Sequence, residues 1–450
     1  MLRSLLAARR LAVAVLVSMA ALGASAQPVL GSAGAIDRAF GRGGMAATGL
    51  AQARGFIALG EGSSVVVGSS VAVRLTPGGA KDATFGSGGR AVLPGATRAV
   101  VAAAQSGRRV VLAGFGGRED ALPSLGPVSR FAAGRLLENG RPDPTFGRGG
   151  GVVLPWLSSG GFTARDAYAT AVAVQPDGKV LVAGPAYARY PGLDLKTPVP
   201  ESRFAVARLD RAGKLDRSFG RHGVALIPVR GSRVAVATSV AVLRGGRIAV
   251  AGNGSIGERS NHAATGLVAR LTPSGHLDRG FGAGGLARLA PAGFERVNLS
   301  AVVALPGGRL VVGGWAAAAD GNDSFLVARL LASGGTDDSF GAGGATVTPE
   351  PAGGWGLIHG LAVDAVGRVV AAGVAFYTGL PPVPARGVLL RYRPDGTLDP
   401  AFGTAGIAGL GEFLRSAAAV AIQRPSGALL VLGDTPTNSA VSGVVRVAAG

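Results

Sequence analysis

The chain has 450 residues, no Cys, and 45 Lys and Arg against 26 Asp and Glu, for a net charge of +19. The lack of Cys excludes disulfides and a lipid-modified N-terminal cysteine, so stability must come from a sizeable buried core, which a chain of this length can build. The excess charge is nearly all Arg, because Lys occurs only at 81, 179, 196 and 214. It is scattered, with no run of five bases, which speaks for general affinity to anions and gives no specific nucleic-acid motif.

Residues 1–26 read as an export signal. Arg3, Arg9 and Arg10 form the basic start, Leu11 to Leu22 the apolar stretch, and Ala24-Ser25-Ala26 a small-residue cleavage site before Gln27. The apolar stretch is too short for a spanning helix, and no later segment is apolar and long enough to be one. Cleavage after Ala26 leaves residues 27–450 with a net charge of +16, expected as a single periplasmic or extracellular domain and as a monomer.

Beyond the signal, Asp-x-x-Phe-Gly recurs seven times, with Phe at 40, 85, 146, 219, 281, 340 and 402. A short apolar run closing on Gly recurs as often, at Gly68, Gly114, Gly184, Gly252, Gly314, Gly373 and Gly433. Such a period marks a repeat architecture. The third unit reads most clearly. A first strand covers 151–154, a second 169–175, a third 180–183 and a fourth 204–209, with Pro176-Asp177-Gly178-Lys179 turning between the second and third. The third strands (VVLAG, VLVAG, IAVAG, LVVGG) are apolar on both faces, as for sheets stacked face to face. No amphipathic helix pattern intervenes.

These readings predict an all-β, seven-bladed β-propeller with four antiparallel strands per blade. The small second strands (ATAVAV, ATSVAV, LSAVVA, AAAVAI) suit the crowded centre. The third and fourth then follow outward, and the first strand of the next unit lies outermost. The run PDGK-VLVAG, FAVARL, AGKLDRSFGRHG resembles the delta-60 repeat, a bacterial propeller repeat of unassigned function. The resemblance covers nearly all of residues 27–450 and implies an exported propeller, with no chemistry attached. Lys81 and Thr336 depart from it, standing where Leu usually precedes the Asp, and the first unit is shortened between Val67 and Val71.

Short turns join strands two to three and four to one. Long, dissimilar loops join one to two and three to four. Antiparallel strands send alternate connections to opposite ends, so one face of the disc collects the variable loops and the other the uniform turns. Trp156, Tyr168 and Trp355 fall in one-to-two loops, and Tyr187, Tyr190, Trp315, Phe376 and Tyr377 in three-to-four loops. Rigid amphipathic rings on loops suit contact with a partner, and they equally suit pinning a loop to the blade.

Chemistry is sparse. Gly252-Asn-Gly254-Ser-Ile-Gly257 has the letters of a dinucleotide fingerprint but leads into a strand, not the helix that would hold a phosphate. Asp320-Gly-Asn322-Asp323-Ser324 is half a calcium loop without the closing Glu, and reads as a polar turn. His222 and His276 fall in uniform turns. No metal or cofactor is expected. The leading reading is a non-enzymatic exported propeller that presents its variable face to a macromolecule or glycan of the envelope or extracellular space. A second is a lyase or hydrolase using Asp166, Glu201, His262, Glu295, Asp320 or His359 at the channel mouth. A third is an Arg-rich protein that binds envelope polyanion.

A fixed spacing predicts ring closure. Fourth strands end in Arg74, Arg135, Arg208, Arg270, Arg329 and Arg391, followed eight residues later by Asp82, Asp143, Asp216, Asp278, Asp337 and Asp399. Across the intervening hairpin each pair lies on one sheet face, where exposed pairs add about 0–1 kcal/mol. Arg446 has no Asp after it and Asp37 no Arg before it, so the two complete each other if the strand near Met45 joins the last blade. That would leave no free strand edge at the seam.

Overall fold

A computed structural model describes residues 32–450 except 95–97, 106–107, 120–127, 160, 189–200, 230–231, 233, 256–263, 319–320, 322, 377–384 and 437–440. The export signal, Tyr190 and Tyr377 therefore lie outside the described residues. Among the described residues, seven antiparallel sheets form the blades of a β-propeller, a two-stranded ribbon pairs Ser158–Ser159 with Phe162–Thr163, and two three-residue 3-10 turns make up the helical content. No described helix is long and apolar enough to cross a membrane.

Blade 5 shows the plan, running outward as Arg296–Ala304, Leu310–Ala317, Asp323–Leu330 and Ala345–Thr348. The outermost strand belongs to the following sequence unit, as the side-chain sizes imply. The last blade runs Ser416–Ile422, Leu429–Asp434, Val441–Val447 and then Met45–Ala51, so the N-terminal strand seals the ring. Seven apolar clusters, each shared by two adjoining blades, make up the core. Strands apolar on both faces are thus covered on both faces.

Blade 3 deviates. Its inner strand is split into Asp166–Ala167 and Ala171–Val174. The break falls opposite Gly184-Pro185 of the strand Val180–Tyr187, where Pro185 has no N–H for the ladder. That strand also runs four residues past its expected end, because a blade needs taller strands than the apolar run alone suggests.

The repeated motif is a rivet between blades. All seven Arg donate Nε–H to the Asp Oδ2 eight residues on, or from Arg446 to Asp37, at 2.7–2.9 Å. The same guanidiniums donate Nη1–H to a carbonyl in the next blade's turn, as Arg208 does to Pro273 at 2.5 Å and Arg74 to Glu138 at 2.6 Å. Each lies over the motif Phe, 4.6–5.0 Å from the ring centre. The N–H of the Gly after that Phe bonds the same turn, as Gly220 does to Ser274 at 2.7 Å. At the seam, where segments near the two termini stand in for that turn, Gly403 bonds Ala33 at 2.9 Å. These pairs are not the exposed pairs that the sequence suggests. Arg391 is 2% exposed and the other rivet Arg but Arg446 are nearly as buried, because the neighbouring turn covers them.

The carboxylates respond accordingly. Burial works against the charge of Asp216, yet hydrogen bonds from Ser218 and Lys179 and the charge of Arg208 outweigh it and hold the carboxyl well below its usual range. Asp82, Asp143 and Asp278 are lowered against the same opposing burial, and Asp337 chiefly by its bond from Ser339.

Candidate functional site: the loop face and the channel

The variable ends of the blades carry the aromatic side chains, but on strand ends more than on loops. Trp315 lies in Leu310–Ala317, Tyr187 in Val180–Tyr187, and Trp355 and Phe376 end the inner two strands of blade 6. Taller strands lift these positions out of the loops in which the sequence reading put them.

Trp355 and Phe376 face each other in register and are 45% and 37% exposed. They are the exposed large aromatics among the described residues. Cross-strand partners stand about 5 Å apart, so the two rings share one platform. The approach to Trp355 is held from below. Glu350, itself buried, accepts N–H bonds from Ala352 (2.7 Å) and Gly354 (3.2 Å) and pairs with Arg386 at 3.4 Å. Gly356 is required next, since a Cβ there would meet the Phe325 ring at 2.5 Å.

Trp156, Trp315, Tyr168 and Tyr187 are half-buried, and the first two are backed by Arg. Arg130 sits 5.5 Å from the centre of Trp156, and Arg296 5.7 Å from that of Trp315. Arg203 covers Phe162 at 4.3 Å, and Tyr168 stacks on Tyr187 at 6.3 Å. Arg296 also reaches Asp323 at 3.8 Å, whose half-buried carboxyl is raised by burial against the pull of that Arg. These arginines escaped sequence reading because each meets its ring from another strand or loop, nineteen or more positions away.

The catalytic candidates spread over three blades. Asp166 is buried in blade 3, where Oδ1 accepts the N–H of Ser129 at 2.9 Å. Glu201 is exposed and pairs with Arg203 at 3.3 Å, and Glu295 is exposed at the foot of blade 5. His262 and Asp320 lie outside the described residues. No group of three metal-binding side chains occurs among the described residues.

His359 is in the inner strand of blade 6 and not on the loop face. It occupies a bulge between Ile358 and Gly360, the place held by Thr238 and Ser300 in blades 4 and 5 and by Thr170 at the break in blade 3. These side chains lace neighbouring inner strands together. Thr170 donates to Ala237 at 2.7 Å, Thr238 to Leu299 at 2.8 Å, Ser300 to Ile358, and His359 Nδ1 meets Ala417 O at 3.2 Å. Nε2 of His359 is buried without a hydrogen-bond partner. Burial, with Arg54 nearby, pulls the imidazole down to about 4 despite the Ala417 bond.

Comparison with known proteins gives one family match and several distant structural likenesses. A family model described as a domain of unknown function (DUF5122) beta-propeller matches residues 175–219, 305–340 and 367–402. Each match ends at a rivet Phe. No curated protein matches the chain. Among solved structures, a GH74 xyloglucanase from Xanthomonas campestris shares 16% identity over 90% of this chain and 52% of its own, with a TM-score of 0.46. A gluconolactonase from the same organism shares 15% over 76% of this chain and 83% of its own, with a TM-score of 0.33. A glucose dehydrogenase shares 13% over 74% of this chain and 95% of its own, at 0.36. The chain is a seven-bladed β-propeller that matches a beta-propeller repeat model over three of its units.

Proposed function

We propose that this is an exported, non-enzymatic binding protein of the delta-60 type, whose loop face captures a glycan. The observation that carries the reading is the paired platform of Trp355 and Phe376, open to solvent and supported by Glu350 and Arg386. Flat apolar rings fit the C–H face of a sugar, and they bring large contact area at little entropic cost. The arginines behind Trp156 and Trp315 favour a glycan with acidic groups. Dispersal of the carboxylates over separate blades supports binding over turnover. A glycan array tests this. One acidic glycan class should be retained, with affinity at least tenfold weaker for the double variant Trp355→Ala/Phe376→Ala. Retention of no glycan, or equal retention by that variant, would refute the reading.

A further inference from the structure

The two faces differ in charge for a structural reason. On the turn face the seven motif Asp are consumed by the rivets, turned inward and largely covered. Asp210 and Asp395 likewise accept backbone N–H bonds within their own turns. Many bases of the same turns have no such duty. Arg148, Lys214, Arg217, Arg221, Arg244 and Arg279 are all exposed, and none makes an ion pair among the described residues. The seven motif Asp are thus covered. Of the acids left exposed in these turns, Glu61, Glu138 and Asp177 are paired with Arg108 or Lys179, while Asp338 and Asp395 make no ion pair among the described residues. Unpaired bases therefore outnumber unpaired acids on this side of the disc.

That side is also level. The Arg-to-Asp hairpin has one length in six blades, and its closed counterpart pairs Arg446 with Asp37 in the same geometry. Equivalent turns on a ring end at one height. The turn tips add Val366, 67% exposed, and Leu331, 39% exposed, and no exposed aromatic ring. A flat basic surface with a few apolar tips matches a flat anionic one. It carries a recess of about 480 Å³ between the first two blades, lined by Arg74, Arg109 and Glu138, and among the described residues it offers no exposed Phe, Tyr or Trp ring on which a nucleic-acid strand would stack.

We propose that the turn face docks flat on an anionic lipid leaflet, leaving the loop face turned outward to its ligand. Bases near such a surface contribute individually and are screened by salt. The test is co-sedimentation of the full-length folded protein with phosphatidylcholine vesicles, with and without phosphatidylglycerol, at low and high salt. Binding should require the anionic lipid and fall steeply with salt. The triple variant Arg217→Gln/Arg221→Gln/Arg279→Gln should bind roughly a hundredfold less, equivalent to about 1 kcal/mol per base. A loop-face triple of equal charge, Arg98→Gln/Arg165→Gln/Arg415→Gln, should bind as the parent does. Thermal unfolding of both triples, matching the parent, confirms that each is folded. Equal loss in both triples would show a net-charge effect and overturn the proposal. So would indifference to phosphatidylglycerol, or tighter capture by duplex DNA than by the vesicles.

Discussion

Arg391 shows at the scale of one side chain what the repeated motif does. Its guanidinium joins Asp399 at 2.8 Å, the Ala449 carbonyl of the next blade and the Phe402 ring. Replacing it by Met should strand the buried Asp399 and cost about 3 kcal/mol in urea unfolding, since one partner of a buried pair is removed. Arg446→Met should cost less, because its side chain is 20% exposed. The eight-residue spacing was legible because a hairpin is local. The burial was not, because the cover comes from a turn 58 to 76 residues further on. His359 illustrates the same limit: nothing in its neighbourhood separates a buried strand position from a loop. Its folded pKa of about 4 lies below the ordinary 6.5, so the unfolded chain binds more protons between these values. Stability should therefore fall as pH drops through that window, by about 3 kcal/mol in all. His359→Gln should flatten this part of the stability-against-pH curve, measured by denaturant midpoints.

Among the elements, turns were read more surely than strand ends. Gly and Pro announce a turn by their own backbone limits, whereas the height of a strand depends on what its neighbours need. The rivet turns give a direct check. Gly275 has φ +84°, and a Cβ there would stand 2.7 Å from Gly220 N and the Phe219 ring. Gly284 has φ +65° and nothing within 4 Å. Gly275→Ala should thus combine backbone strain with a clash across the blade seam, costing about 3 kcal/mol, while Gly284→Ala should cost about 1 kcal/mol. Thermal or urea unfolding of the two variants separates the terms. The inner-strand bulges left only a faint trace in the sequence, a Thr, Ser or His in blades 4 to 6, and none in blades 2 and 7, where the bulge falls at Val100 and Ala418. The partners of the Thr, Ser and His are carbonyls, which any residue supplies.

At the scale of the whole molecule, closure was legible from two orphans, Asp37 and Arg446, which the structure joins at 2.8 Å. Deleting the residues before Gln52 would remove Met45–Ala51 and bare the Val441–Val447 edge. Size-exclusion chromatography should then show association of an otherwise discrete species. The candidate site was less legible, because its rings and arginines come from different strands and loops that meet only at one end of the blades. The two faces are proposed to have separate tasks, glycan capture on the loop side and anionic lipid on the turn side. The most direct test measures both activities on two variants in parallel. Trp355→Ala/Phe376→Ala should lose glycan and keep vesicles, and Arg217→Gln/Arg221→Gln/Arg279→Gln should do the reverse. Either variant abolishing both activities while still folded would contradict the division.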